Sequence, residues 1–103
     1  MKAVLSAAAL SLGLLVPAAA AAGPIETACN RSDRAAASRP LCRCIDDVAY
    51  RMLTRSEQRR AARFFRDPDE AQRVRMSRDE GDREFWARYR AWGETAQAMC
   101  GAG

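Results

Sequence analysis

Four cysteines, a pair of adjacent aspartates and a row of arginines are the side chains whose type and spacing could do chemistry in this sequence. Cys42-Arg43-Cys44 is the sharpest of them. A Cys-x-Cys pair exchanges disulfides when one thiol is exposed and its pKa is depressed, and Arg43 beside both sulfurs favours the thiolate. Cys29 and Cys100 bring two further sulfurs, which makes all four equally suited to structural staples. Asp46 and Asp47 are consecutive, so in a helix they point about 100° apart and do not converge on one substrate. They read as solvated acids. Arg55, Arg59, Arg63 and Arg66 fall within roughly 80° of one another on a helix. Such a face is suited to docking an anionic protein, a phosphate-bearing surface or membrane headgroups. The competing reading is a solvated face screened by nearby acids such as Asp67 and Glu70.

Several function classes drop out. The chain has no histidine, so no imidazole activates a nucleophile, serves as general base or ligates a metal. A zinc site would need all four thiolates, or a mixture with Asp46 and Asp47, at spacings unlike the usual structural zinc patterns. We expect no catalytic residue, no metal and no cofactor, and read the protein as a non-enzyme. Nucleic acid is a poor partner, because no stacking aromatic interleaves with the arginines.

The N-terminal stretch decides the compartment expected for these groups. Met1-Lys2 precedes an uncharged apolar run from Ala3 to Val16, then Pro17 and the alanines Ala18 to Ala22. A basic start, an apolar middle and an Ala-x-Ala end form the pattern of a cleaved export signal. We place the cleavage after Ala22, with Ala20 as the second choice, and assign residues 1–22 to the signal and 23–103 to one helical domain. The run is short for a bilayer span, and no second one follows. The expected location is the periplasm, where thiols are oxidised.

From Gly23 onward 33 of 81 residues are hydrophobic, and 13 of those are alanine. Twenty larger apolar side chains build one small core, and at this size cross-links commonly supplement burial. Each native bridge contributes about 2–4 kcal/mol. Beyond Lys2 the basic residues are 16 arginines against 13 acids, a formal charge of +3. The heavy arginine use, paired with heavy alanine use, matches a GC-rich coding bias as well as anion recognition.

The elements that must position these groups are all helical by pattern. Residues 23–30 read as a short helix with Pro24 in its opening turn and Ile25 and Cys29 on one face. Ser38-Arg39-Pro40 reads as a break, after which a hub helix runs over 41–53 with Leu41, Ile45, Val48 and Met52 in one stripe. Thr54 and Glu57 form a capping box for a third helix over 55–66, with Ala61, Phe64 and Phe65 opposite the arginines. Asp67-Pro68 starts a fourth helix, reaching about Met76, whose inner face is Ala71 and Val74. Ser77-Arg78-Asp79-Glu80 reads as a second capping box, with Gly81 delaying the last helix to Asp82. Phe85, Tyr89, Trp92, Ala96, Met99 and Cys100 share its inner stripe, and aromatics at that spacing are core. The predicted fold is all-α, a small disulfide-stapled bundle of four or five short helices.

Helix geometry also bears on the cysteines. Cys42 and Cys44 flank the hub stripe by roughly 80° on either side. A bond between them is disfavoured, and one bridge each to Cys29 and Cys100 is favoured. Of the two remaining pairings we favour Cys29 with Cys42 and Cys44 with Cys100, leaving the other open.

Gly-Pro-Ile-Glu at residue 23, Ala-Cys-Asn, Leu-Cys-x-Cys-Ile, Thr-Arg-Ser-Glu-Gln-Arg-Arg-Ala-Ala-Arg-Phe-Phe-x-Asp-Pro, Phe-Trp-x-Arg-Tyr and a late Ala-Met-Cys follow one another along the chain. In this order they resemble a family of short exported alphaproteobacterial proteins framed by four cysteines, often labelled "arginine transporter". The resemblance covers nearly all of 23–103; the family has no established activity, and its label suggests an accessory to amino-acid (arginine) transport. A chain with no spanning segment after the signal does not itself carry a solute across a membrane.

Overall fold

The computed structural model describes residues 22–34 and 36–101, in which five helices and no strand occur. The export signal assigned to residues 1–22 lies outside the described residues except for Ala22. The protein is a small all-α bundle stapled by two disulfides, as the patterning predicts. In chain order the helices are α1 (Pro24–Asn30), α2 (Arg39–Met52), α3 (Arg55–Arg66), α4 (Pro68–Arg75) and α5 (Glu80–Cys100). α2 is central. α1 packs on one of its flanks and also on α3, α5 packs on the other, and α4 bridges α3 and α5.

Most helix starts are written locally. The Ser38 hydroxyl accepts the Leu41 N–H at 3.2 Å and starts α2 at Arg39, two residues before the expected start. Pro40 is no break, because it occupies the first turn, where its missing N–H has no intrahelical partner to lose. The α3 capping box forms as predicted: the Glu57 N–H donates to Thr54 Oγ1 at 3.1 Å, and the Thr54 N–H donates to Glu57 Oε1 at 2.9 Å. Asp67 ends α3 and caps α4, its Oδ1 accepting the Glu70 N–H at 3.2 Å. The predicted Ser77 box is replaced by Asp79, which accepts the Asp82 N–H at 3.1 Å and starts α5 at Glu80. Ser77 instead accepts the Asp79 N–H at 3.1 Å, and Gly81 is accommodated within the first turn.

α1 begins differently. Its N-cap, Gly23, has no side chain to offer, and the Glu26 N–H donates instead to Oδ1 of Asp46, 20 residues away on α2, at 3.0 Å. Asp46 is therefore half-buried and engaged, which corrects its reading as a solvated acid; Asp47 is exposed.

The core gathers Ile25, Ala49, Leu53, Ala61, Phe64, Val74, Phe85 and Trp92 from all five helices and the turn after α2. On α2, Cys42 and Ala49 are wholly buried, whereas Leu41, Ile45 and Met52 of the expected stripe are only half-buried. A helix clamped on both flanks buries a wide arc, and the residues midway between its two neighbours are less covered. The Trp92 indole N–H donates to the Ile45 carbonyl at 3.0 Å and registers α5 on α2. Phe64 of α3 meets Phe85 and Tyr89 edge-on, at centroid distances of 6.0 and 5.2 Å. Burial pushes the Tyr89 phenol pKa above its ordinary value. Met99 departs from the predicted stripe and is 60% exposed. Its neighbour Cys100 is drawn inward by a disulfide, and consecutive helical side chains point about 100° apart.

One buried hydrogen bond holds the turn between α2 and α3, and two ion pairs join α3 to α5. Gln58, only 4% exposed, donates from Nε2 to the Leu53 carbonyl at 3.0 Å. Glu57 also pairs with Arg88 of α5, and Arg60 pairs with Asp82. Partial burial alone would raise the Glu57 pKa; the Thr54 N–H and the Arg88 guanidinium outweigh it and hold the carboxyl below its ordinary value.

Gln58→Ala is expected to cost about 1–3 kcal/mol in chemical denaturation, because the Leu53 carbonyl loses its buried partner. A depressed carboxylate pKa stabilises the fold above the ordinary glutamate range, and that contribution is lost as pH falls through the lower folded value. Glu57→Gln, which can still cap, is expected to lose less stability on acidification than the parent protein when denaturation midpoints are compared across pH.

Candidate functional site

The four cysteines fall into two unlike bridges. Cys29 pairs with Cys42 and Cys44 with Cys100, the favoured arrangement, at Cα separations of 5.5 and 5.8 Å. Cys42 and Cys44 are not bonded to each other, so the Cys-x-Cys is a branch point for two cross-links. Cys29 and Cys42 are 3% and 0% exposed. Cys44 and Cys100 are half-exposed beside an open depression of about 480 Å³ that Pro40 and Leu41 help to line. An attacking thiolate needs a line of approach to a sulfur, and only the second bridge offers one.

The arginine face forms one wall of a groove. α1 and α3 pack side by side, and between their outer surfaces lies a cavity of about 490 Å³. Arg55, Arg59, Arg63 and Arg66, all exposed, line it from α3, so the structure brings together the four residues singled out from spacing. The opposite wall is Pro24, Thr27, Ala28 and Arg31 of α1 and its C-terminal cap, preceded by Ala22, the last residue of the expected leader, and Ala62 of α3 adds a small apolar side chain on the side of the arginines. Five guanidinium groups thus rim a floor of small apolar side chains.

The charge is only partly compensated. Arg63 lies 3.5 Å from Glu70. Asp67, the other acid expected to screen this face, pairs with Arg73 at 3.5 Å instead. Among the described residues no carboxylate lies within ion-pair distance of Arg31, Arg55, Arg59 or Arg66. The arrangement has a folding cost: like charges at i,i+4 disfavour an isolated helix by about 0.2–0.5 kcal/mol per pair. Arg55 also occupies the first turn of α3, where the helix dipole favours acids.

Sequence reasoning missed Arg31 and the groove floor. Arg31 carries no helical periodicity with α3, and Thr27, Ala28 and Ala62 have no chemistry of their own; they become a site only when two helices pack. The arrangement suits recognition: guanidinium groups are permanently charged and offer forked donors to carboxylate or phosphate oxygens.

The chain matches no protein-family model, no curated protein and no solved structure. No described helix is long and apolar enough to cross a membrane.

Limited reduction of the folded protein with a mild thiol is expected to open Cys44–Cys100 while Cys29–Cys42 survives. Alkylation followed by peptide mass mapping reads the order, with label appearing first on Cys44 and Cys100.

Proposed function

We propose that this is an exported, non-enzymatic binding protein of the periplasm, whose arginine-rimmed groove between α1 and α3 docks an anionic partner. The supporting observation is the convergence of Arg31, Arg55, Arg59, Arg63 and Arg66 on one concavity, where among the described residues only Arg63 has a carboxylate within ion-pair distance. Export is supported by the signal pattern of residues 1–22 and by two disulfides, which persist in oxidising compartments.

The shape of the groove favours an acidic polypeptide segment over a bilayer. Membrane-surface helices present a convex face with large apolar side chains that enter the acyl layer. Here the arginines share a recess with the small side chains of Pro24, Thr27, Ala28 and Ala62. A carboxylate-bearing segment with a small apolar side chain would satisfy rim and floor together. The transport-accessory reading implied by the family resemblance gains no support from this site, because a cluster of guanidinium groups repels the arginine side chain.

Retention on a sulfonate matrix, and binding to a fluorescent poly-glutamate peptide, test the reading. The parent protein is expected to bind the peptide in a salt-sensitive manner and to ignore neutral vesicles. The combined change Arg55→Ala, Arg59→Ala and Arg63→Ala is expected to lower the eluting salt concentration and weaken peptide binding at least tenfold. Unchanged binding would remove the groove from consideration. Equal binding to anionic vesicles and peptide would move the partner to the membrane surface.

A further inference from the structure

Asp46 does more than a cap requires. An ideal Cβ built on Gly23 would lie 2.5 Å from both Oδ1 and Oδ2 of Asp46 and 2.9 Å from Cγ, so the carboxylate rests directly on the glycine Cα. The backbone at Gly23 is ordinary, with φ −73° and ψ 173°, a conformation open to any residue. Glycine is needed there only for the close approach. A serine or aspartate at residue 23 could cap α1 locally, as Ser38, Thr54, Asp67 and Asp79 cap the other helices. Instead the chain brings a carboxylate from another helix against a bare backbone. Oδ1 takes the Glu26 N–H, and among the described residues Asp46 has no ion-pair partner.

Gly23 is also the first residue expected after the export signal. We propose that hydrolysis of the Ala22–Gly23 bond completes this site: the α-ammonium created on Gly23 pairs with the Asp46 carboxylate. Water adds across the peptide bond, Ala22 departs with the leader as a carboxylate, and the released amine of Gly23 takes up a proton. The nitrogen is one bond from the Cα against which Asp46 rests, so the ammonium forms within reach of an acceptor that has no cation. Cleavage after Ala20 would leave the charge two residues away.

The consequence falls on the groove. α1 contributes Pro24, Thr27, Ala28 and Arg31 to one wall, and its C-terminal end is already fastened to α2 by Cys29–Cys42. The new ion pair fastens the other end to the same helix. Processing thus matures the binding wall. This inference rests on the export reading above and stands apart from the nature of the partner.

The sequence supplies a clean assay, because Lys2 is the only lysine and leaves with the leader. In the processed protein the α-amine is the one primary amine. The full-length chain, expressed with its own leader and purified from the periplasm, is first weighed by intact mass spectrometry. Acylation of the α-amine by a succinimidyl ester at neutral pH is then timed. Asp46→Asn, which keeps a carbonyl acceptor for the Glu26 N–H, is expected to acylate about five- to tenfold faster than the parent, since the unpaired amine loses its proton more readily. Asp47→Asn is expected to match the parent. Equal rates for the parent and Asp46→Asn, with Gly23 as first residue, would overturn the seat. An equal acceleration by Asp47→Asn would overturn it too, by reducing the effect to general charge. A first residue other than Gly23 would overturn the processing reading itself. Should Asp46→Asn fail to fold, the parent's Tm before and after acetylation decides: a fall supports the pair, and no change overturns it.

Discussion

Two sulfurs pointing away from each other on one helix are the constraint on which the rest of this structure depends. Cys42 and Cys44 are two residues apart, so α2 presents them to opposite flanks, and each takes a partner from a different end of the chain. The bridges close sequence separations of 13 and 56 residues, for which chain-entropy arguments give about 3 and about 4 kcal/mol. That is a large share of the stability available to so short a chain with few large apolar residues. α1 and α5 are thereby secured to α2, and α3 and α4 fill the space that remains.

The aromatic cluster completes what the disulfides begin. Phe64 of α3 meets Phe85 and Tyr89 of α5 edge-on, Trp92 lies against Tyr89, and the Trp92 indole uses an α2 carbonyl to fix the height of α5. With the interior settled by apolar packing and cross-links, the outer surfaces of α1 and α3 are free to carry a concentration of like charge that a helix would not adopt for its own stability. The two bridges also divide the labour. The inner one is sealed in the core beneath the groove wall, and the outer one lies open at the end of α5.

Much of this was legible from pattern. Thr54 with Glu57 and Asp67 with Pro68 announced helix starts because a cap is satisfied within three or four residues, a range over which sequence and space coincide. α2 starts two residues before the point the pattern marks, and α5 is capped by Asp79 in place of Ser77, because neighbouring polar residues compete for the same orphan N–H groups. Periodicity places Met99 inside, yet Cys100, its neighbour, claims the inward direction through a partner 56 residues away. Asp46 reads as solvated for the same reason: nothing near it in the chain reveals that Gly23 and the Glu26 N–H will meet it.

By itself the sequence determined the all-α class, the row of arginines on one helix face and the divergence of Cys42 from Cys44, because each follows from 100° per residue within a single helix. Only the tertiary structure decided which cysteine reaches which partner, that Arg31 and Ala28 join the arginines in a groove, and that Asp46 caps another helix. Those outcomes depend on distances between residues far apart in the chain. Such distances are set by how the helices pack, and no local pattern encodes them.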